Sequence, residues 1–255
     1  MEPSPFNLST AKWKDVKDIK YQLAILPWGA TEAHNYHLPF GTDTIETQHI
    51  ALETARKANE KGVHVLVLPA IPYGVNTGQL DITGTINMNP STQAFVVRDI
   101  VESLDQQSIQ RLLILNGHGG NHFKSIIREL YQEFPDTLMA TIDWFRTGHP
   151  ETFFEEVGDH AGEMETSIMM HIAGGIVLPL NDAGSGQSKA FRIQGFREGW
   201  AWTPREWTVV SKDTGIGDPS KASPDKGGQY LEQLTDLLAG FVVEFATARR
   251  DNLFQ

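Results

Sequence analysis

The stretch Leu112-Leu113-Ile114-Leu115-Asn116-Gly117-His118-Gly119-Gly120-Asn121 decides how this chain is read. Four consecutive apolar residues without alternating polar ones describe a strand buried on both faces. The run breaks into a glycine-rich turn with a histidine in it. A helical pattern follows from about His122 to Phe134, and Pro135 ends it. Strand, glycine turn and helix in that order belong to a sheet whose crossovers are helices.

Working outward, the same alternation recurs. Apolar runs at 21–26, 63–68 and 137–142 read as further strands, the first two closed by Pro27 and Pro69. A helix starts at Thr42 or Asp43 and is stopped by Gly62. Asn89-Pro90-Ser91 opens another, with proline in its first turn. Two more are expected near 163–172 and 225–248, while 70–89 reads as a loop rich in Gly, Asn and Thr. There is no internal repeat and no Pro/Ser linker. The expectation is an α/β fold: one domain over residues 1–255, a mostly parallel sheet with helices on both faces. In such sheets ligands gather beyond the carboxyl ends of the strands.

Composition narrows the function classes. A formal charge of −11 argues against a nucleic-acid partner, which favours a basic face. With no cysteine, neither a disulfide framework nor a thiolate metal site is available. Any metal is held by His, Asp, Glu or carbonyl groups, which suits Zn, Mn, Fe or Mg. Met1-Glu2-Pro3-Ser4-Pro5 lacks the basic and apolar parts of a signal peptide. No apolar stretch approaches the roughly 20 residues of a membrane span. A cytoplasmic protein without a membrane partner is expected.

Three clusters carry chemistry. The first, Gly29-Ala30-Thr31-Glu32-Ala33-His34-Asn35-Tyr36-His37-Leu38-Pro39-Phe40-Gly41-Thr42-Asp43, follows the first strand. Glu32 and His34 are two apart, so in an extended segment they face one side. Asp43 sits where the helix dipole favours an ionised carboxylate. Its bland alternative is a simple helix cap. The second cluster places His118 in the glycine turn, where backbone and ion can approach closely. Its alternative is a phosphate-cradling loop, but no Gly-Lys-Ser/Thr ending follows.

The third is Gly158-Asp159-His160-Ala161-Gly162-Glu163-Met164-Glu165. Glu163 and Glu165 do not share a helix face, so one at most is expected at a metal. His160 is a candidate general acid or hydrogen-bond donor, and Asp159 a candidate for orienting another group. His37 and His122, flanking the clusters, read as groups that orient ligands. Residues 181–222 are glycine-rich and aromatic, with Phe191, Phe196, Trp200, Trp202 and Trp207. So long a loop is usually functional. A lid and a subunit contact are equally open.

Taken together, the Glu32-Ala33-His34 to Asp43 block, the Asn116–Asn121 turn and the His160-Ala161-Gly162 to Glu165-Thr166-Ser167 block resemble the creatininase (creatinine amidohydrolase) family. They cover most of residues 21–172. The resemblance implies an α/β fold, two divalent metals, hydrolysis of a C–N bond and often a hexamer built as a trimer of dimers. Carried over by position, it implies Glu32 and His118 on one metal, His34 on the other, Asp43 bridging and His160 near the substrate. The chain departs from creatininase proper at Gly120, where that enzyme has a metal-binding glutamate. Glu165 is the candidate replacement. This chain is similar to the branch with the Asn-Gly-His-Gly-Gly-Asn turn. That branch includes formamide deformylases and a peptidase acting on a redox-cofactor precursor peptide.

The expected function is therefore a metal-dependent amidohydrolase acting on an amide, formamide or cyclic amide through metal-activated water. Two divalent ions are expected, Zn first, with Mn or Fe as alternatives. The metal ligands are Glu32, His34, Asp43, His118 and Glu165, and the catalytic candidates His160, Asp159 and Glu163. The partner is a small-molecule amide, and a homo-oligomer is expected. The competing readings are a non-catalytic metal- or ligand-binding protein, creatinine amidohydrolase proper, and a two-metal phosphoesterase. The last is weakened because no arginine or lysine lies near the clusters in sequence.

Overall fold

The computed structural model describes residues 4–254, so Met1–Pro3 of the stretch read for a signal peptide lie outside the described residues. In chain order the main elements are β1 (Leu23–Trp28), α1 (Thr42–Glu60), β2 (Val65–Val67), α2 (Pro90–Gln106), β3 (Arg111–Asn116), α3 (Phe123–Glu133), β4 (Leu138–Asp143), α4 (Glu163–Ala173) and α5 (Pro224–Thr247). The strands form one sheet in the order β2-β1-β3-β4, with every pairing parallel.

Alternation along β1 sends its side chains to two cores. Leu23 and Ile25 pack with Ile50, Trp144, Leu234 and Val242, under α1 and α5. Ala24, Leu26 and Trp28 pack with Val97, Leu104, Phe123 and Leu130, under α2 and α3. Burying each of the larger side chains contributes about 1.5–3 kcal/mol, and both faces being buried explains the continuous apolar runs. α5 closes the first face with Leu231, Leu234, Leu238 and Val242 at helical spacing. Pro224 fills its first turn, and the Ser223 hydroxyl accepts from Lys226 N–H at 3.2 Å.

Two expectations change in detail. β1 runs on through Pro27, which pairs with Leu115, and its carbonyl accepts from Ile71 N–H at 3.0 Å. β2 is shorter than its apolar run; it is the edge strand of the sheet, paired with β1 on one side and bridged at Val67 by the segment Phe6–Leu8 on the other. Residues 181–222 add no strand to the sheet; they carry two four-residue helices, Gln194–Arg197 and Trp207–Val210. Among the described residues no helix is long and apolar enough to cross a membrane.

Candidate metal centre

All three clusters converge at the carboxyl ends of β1 and β3. Glu32, His34, Asp43, His118 and His160 are buried, while Glu165 is partly buried. Their ligating atoms fall into three overlapping groups: Glu32, Asp43 and His118; His34, Asp43 and Glu165; and Glu32, His34 and His160. Asp43 belongs to the first two. One of its oxygens lies 2.7 Å from His34 Nε2 and the other 3.1 Å from His118 Nδ1. Glu32 Oε1 lies 2.8 Å from His118 Nδ1 and 3.9 Å from His160 Nδ1.

The outer nitrogen of each imidazole is already used. His34 Nδ1 donates to the Glu32 carbonyl (3.0 Å), His118 Nε2 to the Val75 carbonyl (3.1 Å) and His160 Nε2 to the Ala33 carbonyl (2.8 Å). A carbonyl can only accept, so each neutral ring turns a lone pair inward. Lone pairs facing carboxylate oxygens repel unless positive charge stands between them. Two arrangements supply it: a second proton on the ring, or a divalent cation. Outer N–H to carbonyl and inner nitrogen toward the ion is the usual second contact of a metal-bound histidine. Asp43 Oδ2 is buried without a hydrogen bond, as a metal-facing oxygen is. The donor set therefore fits a divalent metal.

The electrostatics carry the same message. Burial opposes charge on His34, but the facing Asp43 carboxylate outweighs it and raises the imidazole to about 10. Burial likewise opposes charge on His118, yet Glu32 and Asp43 hold it well above its ordinary value. Burial pushes Asp43 and Glu32 upward, and the imidazoles more than reverse this, leaving both carboxyls below their usual range. Burial raises Glu165, which His34 and His160 only partly offset.

The local sequence explains how these groups are held. Asn116 Nδ2 donates to the His118 carbonyl (3.0 Å) and to Asp143 at the end of β4 (2.8 Å), and its Oδ1 accepts from His118 N–H (3.1 Å). Asn121 Oδ1 accepts from Val75 N–H and Gln93 Nε2. A Cβ on Gly117 would lie 1.8 Å from Thr47 Oγ1, so the turn packs onto α1 only as glycine. Ala161 adopts φ +50°, a strained value for a residue with a Cβ. Its N–H donates to Glu165 Oε2 at 2.5 Å. Asp159 and His160 N–H both bond the Ile216 carbonyl, tying this loop to the segment that follows the aromatic stretch.

Comparison with known proteins places the chain in a family. The family profile described as "Creatininase: Creatinine amidohydrolase" matches residues 9–242. The chain belongs to the creatininase family. A protein of Bacteroides fragilis, whose crystal structure carries a provisional creatinine amidohydrolase description, is 42% identical over the whole of both chains, with a TM-score of 0.93. A mycofactocin precursor peptide peptidase of Mycobacterium ulcerans is 27% identical over 83% of this chain and 81% of its own length. A mutant creatininase of the Zn-Zn type superposes with a TM-score of 0.77 over 95% of this chain and 99% of its own, at 21% identity, and so shares the fold.

Within this creatininase-family hydrolase the remaining candidates are separated. Glu163 is fully buried, but on the α5 side: its oxygens take Lys226 Nζ at 2.5 Å and Glu156 N–H at 2.9 Å. The structure does not bring it to the cluster. Asp159 points outward, half exposed, and binds Arg205 Nη1 at 2.5 Å. His37 is buried beneath the site, its Nε2 2.9 Å from Thr166 Oγ1; burial first and then His34 lower it to about 4. His122 is exposed at the start of α3. A Cβ on Gly120 would lie 2.3 Å from the Val75 carbonyl oxygen and 2.5 Å from His118 Nε2. This backbone therefore has no room for a longer side chain at that position.

Three features escape a linear reading. Gln79, from the loop after β2, donates its amide to Glu32 Oε2. Glu46 is fully buried three residues beyond Asp43, with neither oxygen hydrogen-bonded; burial, then Glu165 and Asp43, raise it well above an ordinary carboxyl. Trp207 lies over His160, ring centroids 5.1 Å apart, and the Arg205 guanidinium lies 5.5 Å from the Trp207 ring.

Proposed function

We propose that this chain is a metal-dependent amidohydrolase that cleaves the C–N bond of an amide, formamide or cyclic amide. Glu32, Asp43 and His118 would hold one divalent ion, and His34, Asp43 and Glu165 a second, with Zn the first choice. The observation that carries this reading is the set of three imidazoles anchored outward on carbonyls with their free nitrogens facing buried carboxylates. When bound, such ions lower the pKa of a water and polarise a carbonyl.

The chain's own residues do the rest. Gln79 holds Glu32 by its second oxygen, leaving Oε1 for the site. Outer contacts of this kind typically tune metal affinity 10- to 100-fold. His160 meets Glu32 at 3.9 Å, with its ring over that of His34 (centroids 4.2 Å apart), at the edge of the cluster. There it protonates the departing nitrogen, a general-acid role. The N–H of Ala161 fixes Glu165. Asp159 and Glu163, engaged by Arg205 and Lys226, are assigned no proton transfer. Among the described residues no lysine or arginine is ion-paired with Glu32, Asp43 or Glu165, which leaves these carboxylates free for metal. With Gly120 unable to supply a carboxylate, creatinine is not the proposed substrate. A homo-oligomer, hexameric by the family resemblance, belongs to the same proposal; Trp200 and Trp202, 75% and 78% exposed, are apolar surface suited to a subunit contact.

Elemental analysis of the purified protein, paired with assays on formamides, lactams, creatinine and short peptides, tests the reading. The expected result is divalent metal bound to the chain and hydrolysis of at least one amide that a chelator abolishes. Activity undiminished after complete metal removal would overturn the mechanism. A metal-loaded protein inert toward the whole panel would favour the non-catalytic binding reading instead.

A further inference from the structure

The Arg205 guanidinium is linked to the edge of the metal centre through Trp207, which lies over His160. Arg205 lies in the strap that crosses the strand ends. The backbone there is packed closely, since a Cβ on Gly78 would come within 2.0 Å of the Arg205 carbonyl oxygen. Thr208 Oγ1 donates to Asp81 Oδ2 at 2.6 Å, so the strap is fastened on both sides of Trp207 to the loop that carries Gln79. The backbone that carries the guanidinium is therefore held in place. The guanidinium lies 5.5 Å from the Trp207 ring, which in turn lies 5.1 Å from His160. Among the described residues its one side-chain acceptor is Asp159, through Nη1. A guanidinium has five N–H donors in a fork matched to a carboxylate, so most of that fork is unused. Arg205 and Asp159 side chains are 41% and 57% exposed, and a pair this wet is exchangeable.

We propose that Arg205 is a specificity-determining residue that binds a carboxylate on the amine side of the scissile bond, so that the substrates are N-acyl amino acids or the carboxyl end of a short peptide. The inference rests on the amidohydrolase reading above. It follows from the order of the groups. His160 delivers its proton to the departing nitrogen, so the fragment leaving as an amine lies toward His160, beneath Trp207 and facing Arg205. A carboxylate on that fragment replaces Asp159 on the guanidinium and gains a charge-assisted, bidentate contact. The reaction balances as amide plus water giving the acyl carboxylate and the free amino acid.

The test compares each N-acyl amino acid with its own carboxamide, which differs only in that charge. For metal-loaded protein the carboxylate form is expected to be preferred about tenfold in kcat/KM, the low end for contacts to charged groups because the site is wet. The preference should reside in KM. Arg205→Met should collapse the ratio to near one, and Arg205→Lys should retain part of it. Asp159→Asn, which removes the competing acceptor, should raise it; a merely structural ion pair predicts the same direction for both partners. Calorimetry with a free amino acid and its carboxamide reads the contact independently of turnover. If no amide is hydrolysed but the amino acid binds more tightly than its carboxamide and Arg205→Met abolishes the difference, the hydrolase reading fails and the Arg205 site stands. A ratio near one in the unmodified protein, or one unchanged by Arg205→Met, overturns the proposal.

Discussion

The ligand shelf and the strap above it are built on opposite principles. The shelf, residues 29–43 and 116–121, grows from the ends of adjacent parallel strands, Trp28 pairing directly with Asn116. Glu32, His34, Asp43 and His118 on it are buried and bonded within the shelf or to the Val75 carbonyl. The strap, within 181–222, belongs to no sheet strand and is held by contacts to residues 78, 81, 159 and 160. Sheet topology fixes the groups proposed to hold metal, whereas tertiary contact alone fixes those proposed to choose a substrate. Each part should fail in its own way when altered.

The largest effect is expected on the shelf. Asp43 faces both His34 and His118 and belongs to both three-ligand groups built around it. Asp43→Asn keeps the shape and removes the charge, so metal content should fall at both sites together. Turnover should drop on the order of 10⁴ or more, the loss of most metal-assisted chemistry. Elemental analysis checks it: a variant retaining one full equivalent of the native complement would show that Asp43 serves one ion.

His160 lies between the two regions, touching Glu32 on one side and Trp207 on the other. His160→Ala should keep its metals and lose on the order of 10²–10⁴ in kcat, the scale of general acid catalysis. Stoichiometric loss of metal would move His160 into the shelf as a ligand. Full activity with full metal would pass the proton-donor role to another group.

The same contrast governs what could be read from the chain. The shelf was legible because apolar strand, glycine turn and ligand are contiguous, so Glu32, His34, Asp43 and His118 needed only the parallel topology to meet. Glu163 and Glu165 were harder. Helical geometry says that they face apart, but which one faces the cluster depends on Lys226, 63 residues downstream on α5, taking Glu163. Pro27 looked like a strand end because a missing N–H usually ends pairing, yet β1 continues through it. Gln79 left no signal beyond being polar in a glycine-rich loop. Glu46 did leave one, since i and i+3 neighbours share a helix face. Arg205 was hidden by distance along the chain: no cation is near the clusters in sequence, and the fold brings one there.

A third expectation concerns the shelf without metal. Burial opposes charge on His34, but Asp43 holds it at about 10, against an ordinary value near 6.5. A raised histidine stabilises the fold fully below about pH 6.5, and that contribution is lost as pH rises through about 10. The lowered Asp43 and Glu32 act oppositely: their contribution is present above about pH 4 and is lost on acidification. Chelator-treated protein should therefore lose stability between about pH 6.5 and 10, while metal-loaded protein should not. Metal affinity should rise across the same window as protons are displaced. Thermal denaturation of both forms along a pH series decides it. Parallel slopes would mean that the imidazoles are neutral without metal.

The smallest effect is expected in the strap, and it tests whether the strap touches the chemistry at all. Trp207 and Trp202 lie in the same segment and differ in surroundings. Trp202 is 78% exposed, whereas Trp207 stacks near His160 with a tilt of 36° and carries Arg205 on its ring. An aromatic contact of this kind contributes about 0.5–1.5 kcal/mol beyond area burial, and an exposed cation–π contact about 0.5–1 kcal/mol. Trp207→Phe keeps an aromatic face but shrinks it, so part of each contact survives. A fall of about two- to fivefold in kcat/KM should follow, with metal content unchanged and stability within about 1 kcal/mol. Trp202→Phe should change neither, which makes it the internal control for nonspecific loosening of the segment. If the two variants behave alike, the strap is a passive cover and the division between a metal-holding shelf and a substrate-choosing strap fails. If Trp207→Phe lowers metal content, the strap is part of the shelf, acting on the ligands through Gln79 and Glu32. The expected result, loss of turnover at constant metal for Trp207 alone, places the ring where the substrate passes between His160 and Arg205.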